Sequence, residues 1–178
     1  MIITQLDISI SEESLTINGQ TFGKYLTPNK VVKILGLPDR TFNSQGRNIY
    51  FSGELIYDRL GAVFHVYHDR VSPITLLYSN FDTSMMFYRA RPTNLYQGNL
   101  LITGEDFPSP KKHSRKPLVR DGYLKKIEKR LFKYSDKQID TGGFSSINVG
   151  FGHCGLTAEI DYRTQQICGI SINLKTKK

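Results

Sequence analysis

Apolar and polar residues alternate in two short runs near the start of the chain, Ile8-Ser9-Ile10 and Leu15-Thr16-Ile17. A period of two sends successive side chains to opposite faces of an extended backbone, so each run predicts a strand with one buried face. Ser11-Glu12-Glu13-Ser14 between them predicts a turn. The period then changes. Thr27-Pro28 supplies an N-cap and a first helical residue with preset φ, and Val31, Ile34 and Leu35 fall on one helical face. Gly36 suits the position just past the helix, and Pro38 forbids its resumption. This short helix is expected to lie across a sheet. Strands are predicted at 48–51 and 55–57, then two longer ones at 61–68 and 73–80 about a turn near Asp69-Arg70. Residues 81–95 read as a linker broken by Pro92-Thr93-Asn94. A strand at 100–102, a loop rich in Pro and Lys at 108–117 and a helix from Gly122 to Lys133 follow. That helix turns Tyr123, Leu124, Ile127 and Leu131 inward. Strands at 144–151, 155–162 and 166–174 close the chain, and the tail Lys175-Thr176-Lys177-Lys178 is expected to fray.

The same pattern occurs twice. Leu15-Thr16-Ile17-Asn18-Gly19-Gln20-Thr21-Phe22 matches Leu100-Leu101-Ile102-Thr103-Gly104-Glu105-Asp106-Phe107 at an offset of 85 residues. Gly61-Ala62-Val63-Phe64 and the following strand match Gly155-Leu156-Thr157-Ala158 and its successor at an offset of 94. Two matches in one order predict a duplication with an insertion in the second copy. The expected fold class is α+β. Two tandem repeats are foreseen, each a short helix packed on an antiparallel sheet, with one continuous sheet across both as the alternative. Residues 1–80 would be the first repeat, 81–95 the linker, and 96–178 the second, with a basic insertion at about 108–122.

The two late hairpins can be compared by face. Ala62, Phe64, Val66, Leu76 and Tyr78 correspond to Leu156, Ala158, Ile160, Ile170 and Ile172, an apolar face expected to lie under the helices. The other face carries Val63, His65 and Tyr67 in the first copy and Thr157, Glu159 and Asp161 in the second. Left open to solvent, the first would form an aromatic patch of the kind that marks a partner site. The alternative is that the linker, with Met85, Met86, Phe87 and Tyr88, folds over it.

Composition sharpens this picture in two ways. The net charge of +8 is local: residues 108–133 hold ten Lys and Arg against two acidic residues, and the rest of the chain is balanced. The two cysteines, Cys154 and Cys168, are too few for a secreted disulfide framework. With no signal-like N-terminus and no apolar run of about 20 residues, a cytoplasmic protein without membrane contact is the expectation.

Candidate chemistry is sparse. His65 and His68 sit three apart on a strand, so they point to opposite faces and do not share a metal. Neighbours His153 and Cys154 in Gly150-Phe151-Gly152-His153-Cys154-Gly155 diverge on an extended backbone, which argues against a nucleophile–base dyad. There is no phosphate-binding loop, no catalytic residue set and no cofactor site to nominate. The basic segment 108–133 has three readings: a solvated helix face, a dock for an acidic protein, or a phosphate contact.

A strand pair, a short helix and a run of antiparallel strands, all repeated, resemble the tandem architecture of β-lactamase inhibitory protein and a small outer-membrane-assembly lipoprotein repeat. Leu26-Thr27-Pro28-Asn29-Lys30-Val31-Val32-Lys33-Ile34-Leu35-Gly36-Leu37-Pro38 is similar to the helix and Gly-x-Pro stop of such repeats. Tyr57-Asp58-Arg59-Leu60-Gly61-Ala62 resembles a stretch of bacterial immunity proteins encoded beside interbacterial toxins. The second copy lacks the Gly-x-Pro. The resemblance implies a non-enzymatic immunity protein that neutralises a cognate toxin, of type VI or another polymorphic system, by stoichiometric contact. Tyr57, Asp58, Arg59, Tyr67 and His68 are the expected anchors. Lys111, Lys112, Arg115 and Lys116 are the second contact, meeting an acidic toxin surface. The alternative is a nucleic-acid or polyanion binder using 108–133.

Overall fold

The computed structural model describes residues 3–11, 13–23, 25–43, 53–79, 90–102, 105–107, 137–140, 144–151, 154–161 and 167–174. Their strands form two sheets. Strands β1 (Ile8–Ile10), β2 (Leu15–Ile17), β3 (Gln20–Phe22), β8 (Leu100–Ile102) and β9 (Glu105–Phe107) make a five-stranded sheet in the order β3-β2-β1-β8-β9. The larger sheet contains β4 (Arg40–Asn43), β5 (Gly53–Tyr57), β6 (Ala62–Tyr67), β7 (Arg70–Leu77), β10 (Lys137–Asp140), β11 (Phe144–Phe151), β12 (Cys154–Asp161) and β13 (Ile167–Leu174). Its order is β10-β11-β12-β13-β7-β6-β5-β4.

Two tandem helix-on-sheet repeats are therefore not what forms. The fold is mostly β, and one α-helix, α1 (Pro28–Leu35), lies among the described residues. Strands from the two halves of the chain share both sheets. β1 pairs antiparallel with β2 and parallel with β8, and β7 pairs antiparallel with β13. The physical reason lies in the strands themselves. Those of β1, β2 and β8 are three residues long, and a hairpin of that size is marginal in water; joining across the halves gives β1 a neighbour on each side. At the other join, Thr75 faces Ser171, flanked by the apolar pairs Ile74–Ile172 and Leu76–Ile170. The predicted helix at 122–133 and the predicted strand at 48–51 lie outside the described residues. β4, by contrast, falls where no strand was expected.

One core joins α1 and the facing sides of both sheets. Ile8, Ile10, Leu15, Ile17, Leu100 and Ile102 come from the smaller sheet, and Val31, Ile34 and Leu35 from α1. Ala62, Phe64, Val66, Leu76, Leu156, Ala158, Ile170 and Ile172 come from the larger. The face expected to lie under helices thus lies mainly under a second sheet. The helix ends follow their residues: the Thr27 hydroxyl accepts from the Lys30 amide at 3.4 Å, and Gly36, at φ 79°, donates to the Val32 carbonyl at 2.9 Å.

The segment from Thr93 to Asn99 ties the sheets together. Leu6 and Ile8 amides donate to the carbonyls of Gln97 and Asn99, at 2.7 and 2.8 Å. The buried Tyr96 hydroxyl donates to the Leu6 carbonyl at 2.6 Å. Two glycines allow this crossing. A Cβ on Gly61 would stand 2.3 Å from the backbone of Leu95 and Tyr96, and one on Gly98 would stand 1.7 Å from the Leu6 carbonyl oxygen. Both have positive φ, 66° and 155°.

Candidate partner-binding surface

The expected anchors divide into two groups ten residues apart. Tyr57, Asp58 and Arg59 stand at a corner where β5 ends in a single 3-10 turn, Asp58–Leu60. Their polar atoms are engaged within the chain. Tyr57 is fully buried, packs edge-on against Phe64 with centroids 5.5 Å apart, and donates its hydroxyl to the Gly36 carbonyl at 2.9 Å. Arg40 donates twice to the Asp58 carboxylate, at 2.7 and 2.8 Å, and once to the Arg91 carbonyl at 2.9 Å. The Thr93 amide and hydroxyl donate to the same carboxylate at 2.8 and 3.0 Å. Arg59 pairs with Asp39 and donates to the carbonyls of Leu35, Leu37 and Ile3 at 2.9, 3.2 and 3.3 Å. Its guanidinium also lies 5.2 Å from the centre of the Tyr57 ring.

The titration of this corner has the same origins. The hydrogen bond from Arg40, aided by those from Thr93, holds the Asp58 carboxyl below the usual carboxylate range against the opposing effect of burial. That hydrogen bond also raises the Arg40 guanidinium. Burial pushes the Tyr57 phenol up to about 12, with Arg59 opposing. The corner is a latch between the end of α1, the start of β4, the N-terminal segment and residues 91–94. Its side chains help to hold the fold, and Asp58 and Arg59 keep part of their surface exposed.

Tyr67 and His68 are placed otherwise. They form the tip of the β6–β7 hairpin, whose two-residue turn is His68-Asp69, with His68 at φ 54°. Tyr67 is 47% exposed, and its ring meets the His68 ring edge-on at 4.4 Å. Two further residues join them. Arg70 is the cross-strand partner of Tyr67, and its guanidinium stands 4.5 Å from the centre of the Tyr25 ring. Tyr25 is 53% exposed, and the loop that carries it is held to the hairpin by the Val71 amide, which donates to the Leu26 carbonyl at 2.8 Å. Neither Tyr25 nor Arg70 stood out in the sequence. Arg70 carried a signal, since a two-residue turn after Tyr67 makes it a cross-strand neighbour. Tyr25 carried none, because its position depends on a loop 45 residues earlier in the chain meeting the hairpin. Together Tyr25, Tyr67, His68 and Arg70 form an aromatic surface with a cation across it.

The outer face of the larger sheet is not an open aromatic patch. Val63 is fully buried against Ile56, Leu77, Ala90 and Leu95, so residues 90 and 95 of the expected linker cover part of that face. Met85, Met86, Phe87 and Tyr88 lie outside the described residues. Beside this cluster, His65 Nδ1 stands 3.1 Å from Glu54 Oε1, and its Nε2 stands 3.0 Å from Thr75 Oγ1. Glu54, His65, Thr75, Glu159 and Ser171 are all buried there. The order carboxylate, imidazole, hydroxyl has the connectivity of a nucleophile relay. Thr75, however, is 1% exposed on a central strand and closed to substrate. The row works as a polar clamp across β5, β6 and β7.

Lys111, Lys112, Arg115 and Lys116, with the whole basic segment 108–133, lie outside the described residues. Cys154 and Cys168 are buried and are not joined in a disulfide. Among the described residues no group of three or more His, Cys, Asp or Glu is placed to hold a metal ion. No helix among them is long and apolar enough to cross a membrane. A shallow groove of about 250 Å³ on the smaller sheet is lined by Asp7, Ser9, Thr16 and Asn99. Its one carboxylate already accepts from Asn99 and Gln5.

A family model described as a domain of unknown function, DUF7738, matches residues 7–116, well over half of the chain. The chain belongs to this family. No curated protein and no solved structure matches the chain. The DUF7738 span runs from β1 through β9 and includes both the corner and the hairpin tip. It stops before β10–β13, the half of the larger sheet that β7 meets through β13.

Proposed function

We propose that this DUF7738 protein is a binding protein, not an enzyme, and that it neutralises a cognate bacterial toxin in the cytoplasm by stoichiometric contact. The single observation that carries the reading is the hairpin tip. Two half-exposed tyrosines, a histidine and an arginine stand together there on a tight turn anchored to a neighbouring loop. Tyr and Arg are, with Trp, the residues enriched at binding hot spots, because they combine large contact area with directed polarity. The likeness of Tyr57-Asp58-Arg59-Leu60-Gly61-Ala62 to immunity proteins supports the choice of toxin as partner. The corner formed by those residues would then act by holding the tip's scaffold rigid. The charge of +8, concentrated in 108–133, favours a partner with an acidic contact surface.

The test is capture of the partner by tagged protein in its native cell, with a high-salt wash and mass spectrometry. A single stoichiometric protein is expected, lost from the Tyr67→Ala and Arg70→Ala variants and toxic when expressed without this chain. Recovery of nucleic acid alone, released as salt rises, would overturn the reading and move the function to the basic segment, since phosphate contacts weaken steeply with salt.

A further inference from the structure

β4 is one of the two outermost strands of the larger sheet, and its side chains are exposed. Among the described strands, β4 has a neighbour, β5, on one side alone. All four of its residues, Arg40, Thr41, Phe42 and Asn43, are exposed. An edge strand presents unpaired N–H and C=O groups to any other strand, and proteins blunt such edges by keeping them short, or with charged side chains, Pro, inward charges or bulges. β4 is short and carries Arg40, but it has no Pro and no bulge. Its ladder with β5 runs without a register shift, and its one charged side chain, Arg40, is drawn back onto Asp58 in a two-point ion pair. Asp39, just before the strand, is likewise committed to Arg59. The edge is therefore uncharged in effect, although the chain carries +8. Thr41 and Phe42 favour extended structure, and Phe42 is 39% exposed. The other sheet offers a contrast: its edge strand β3 ends in Phe22, which is buried.

We infer that β4 is a homodimerisation edge, on which the β4 strand of a second copy of this chain adds antiparallel. Three observations select that occupant. A row of backbone donors and acceptors at a strand edge is matched by another extended strand. A neutral edge on a basic protein gives an acidic partner no purchase and lets two like-charged copies approach at this point. A two-fold axis normal to the sheet at Phe42 also makes the strand its own complement. It sets Phe42 opposite Phe42 of the second copy and Thr41 opposite Asn43, and cross-strand aromatic pairs are favourable. Four residues make a small interface, so the dimer is weak and its population depends on concentration.

The experiment is sedimentation equilibrium of the purified full chain over a wide concentration series, with amide hydrogen exchange of Arg40–Asn43 at both ends of the series. The mass is expected to rise toward that of a dimer, with β4 amides protected at high concentration only. Phe42→Lys would set two ammonium groups opposite each other and weaken the dimer at least about tenfold, while Phe42→Tyr retains it. A thermal melt at low concentration, unchanged in both variants, shows that the monomer fold is intact. A mass that stays monomeric throughout overturns the proposal. So does a dimer that survives Phe42→Lys unchanged, or one whose β4 amides exchange at the monomer's rate. The outcome is independent of toxin binding, which is assigned to the hairpin tip.

Discussion

The corner at Tyr57-Asp58-Arg59 and the tip at Tyr67-His68 have similar residues, lie at opposite ends of one strand, and have opposite fates. At the corner, Tyr57 is buried and the two charged groups meet Arg40 and Asp39 within the chain. At the tip, the tyrosine ring stands half in solvent and its neighbouring cation lies across a second exposed ring. A string of Tyr, Asp and Arg therefore does not announce a contact surface. What separates a latch from a contact is whether other segments arrive to satisfy the polar atoms. α1, β4, the N-terminal segment and residues 91–94 all arrive at the corner, whereas among the described residues it is the loop carrying Tyr25 that is held to the tip. Mutations at the corner should cost stability, and mutations at the tip should cost binding.

The sharpest way to break the corner is through its backbone. Gly61→Ala is expected to destabilise by about 4 kcal/mol in denaturant unfolding, because the added Cβ meets backbone atoms at a positive φ that only glycine adopts freely. Asp58→Ala should cost about 2 kcal/mol, since it strands Arg40 and two donors of Thr93. A loss under about 0.5 kcal/mol would show that the latch is dispensable.

The pH dependence follows with opposite signs at the two groups of the corner. Asp58 has a folded pKa held below its unfolded value, so its contribution is complete above about pH 4 and is lost as pH falls through the depressed folded value. Asp58→Asn should flatten that acid limb in melts taken at decreasing pH. Tyr57 has a folded pKa raised to about 12, so its contribution is complete below the unfolded value near 10 and is lost as pH rises toward about 12. Tyr57→Phe should remove this alkaline loss and cost about 1 kcal/mol at neutral pH through the hydrogen bond to Gly36.

The smallest stability effect is expected at the tip. Tyr25→Ala and Tyr67→Ala should change unfolding free energy by no more than about 0.5 kcal/mol, as exposed substitutions usually do. Partner affinity should fall at least tenfold, about 1.4 kcal/mol, measured by calorimetry once the partner is in hand. Equal losses of stability at the tip and the corner would erase the distinction between them.

Legibility in the sequence followed the range of the interaction that decided each feature. Thr27, Pro28 and Gly36 bracket α1 because capping acts within a turn of helix. The apolar face of β6, β7, β12 and β13 was legible because alternation is a property of a strand alone. β4 was missed because Arg40-Thr41-Phe42-Asn43 is exposed throughout, and an exposed edge strand has no buried face to impose alternation. Tyr57 is buried and Tyr25 is exposed, a difference no local pattern shows, since exposure is decided by distant segments.

The sequence by itself determined the local periods, the helix ends, the doubled pattern and the placement of charge, since each depends on neighbours a few residues apart. The tertiary structure alone decided that the halves share sheets rather than fold as separate repeats. It also decided that the polar atoms of the corner are met within the chain while Tyr67 at the tip is half-exposed. The first of those outcomes turns on β1 meeting β8 and on β7 meeting β13, pairings between segments more than 90 residues apart. Such pairing depends on which partner completes both a hydrogen-bond ladder and a buried face, and no local pattern encodes that choice.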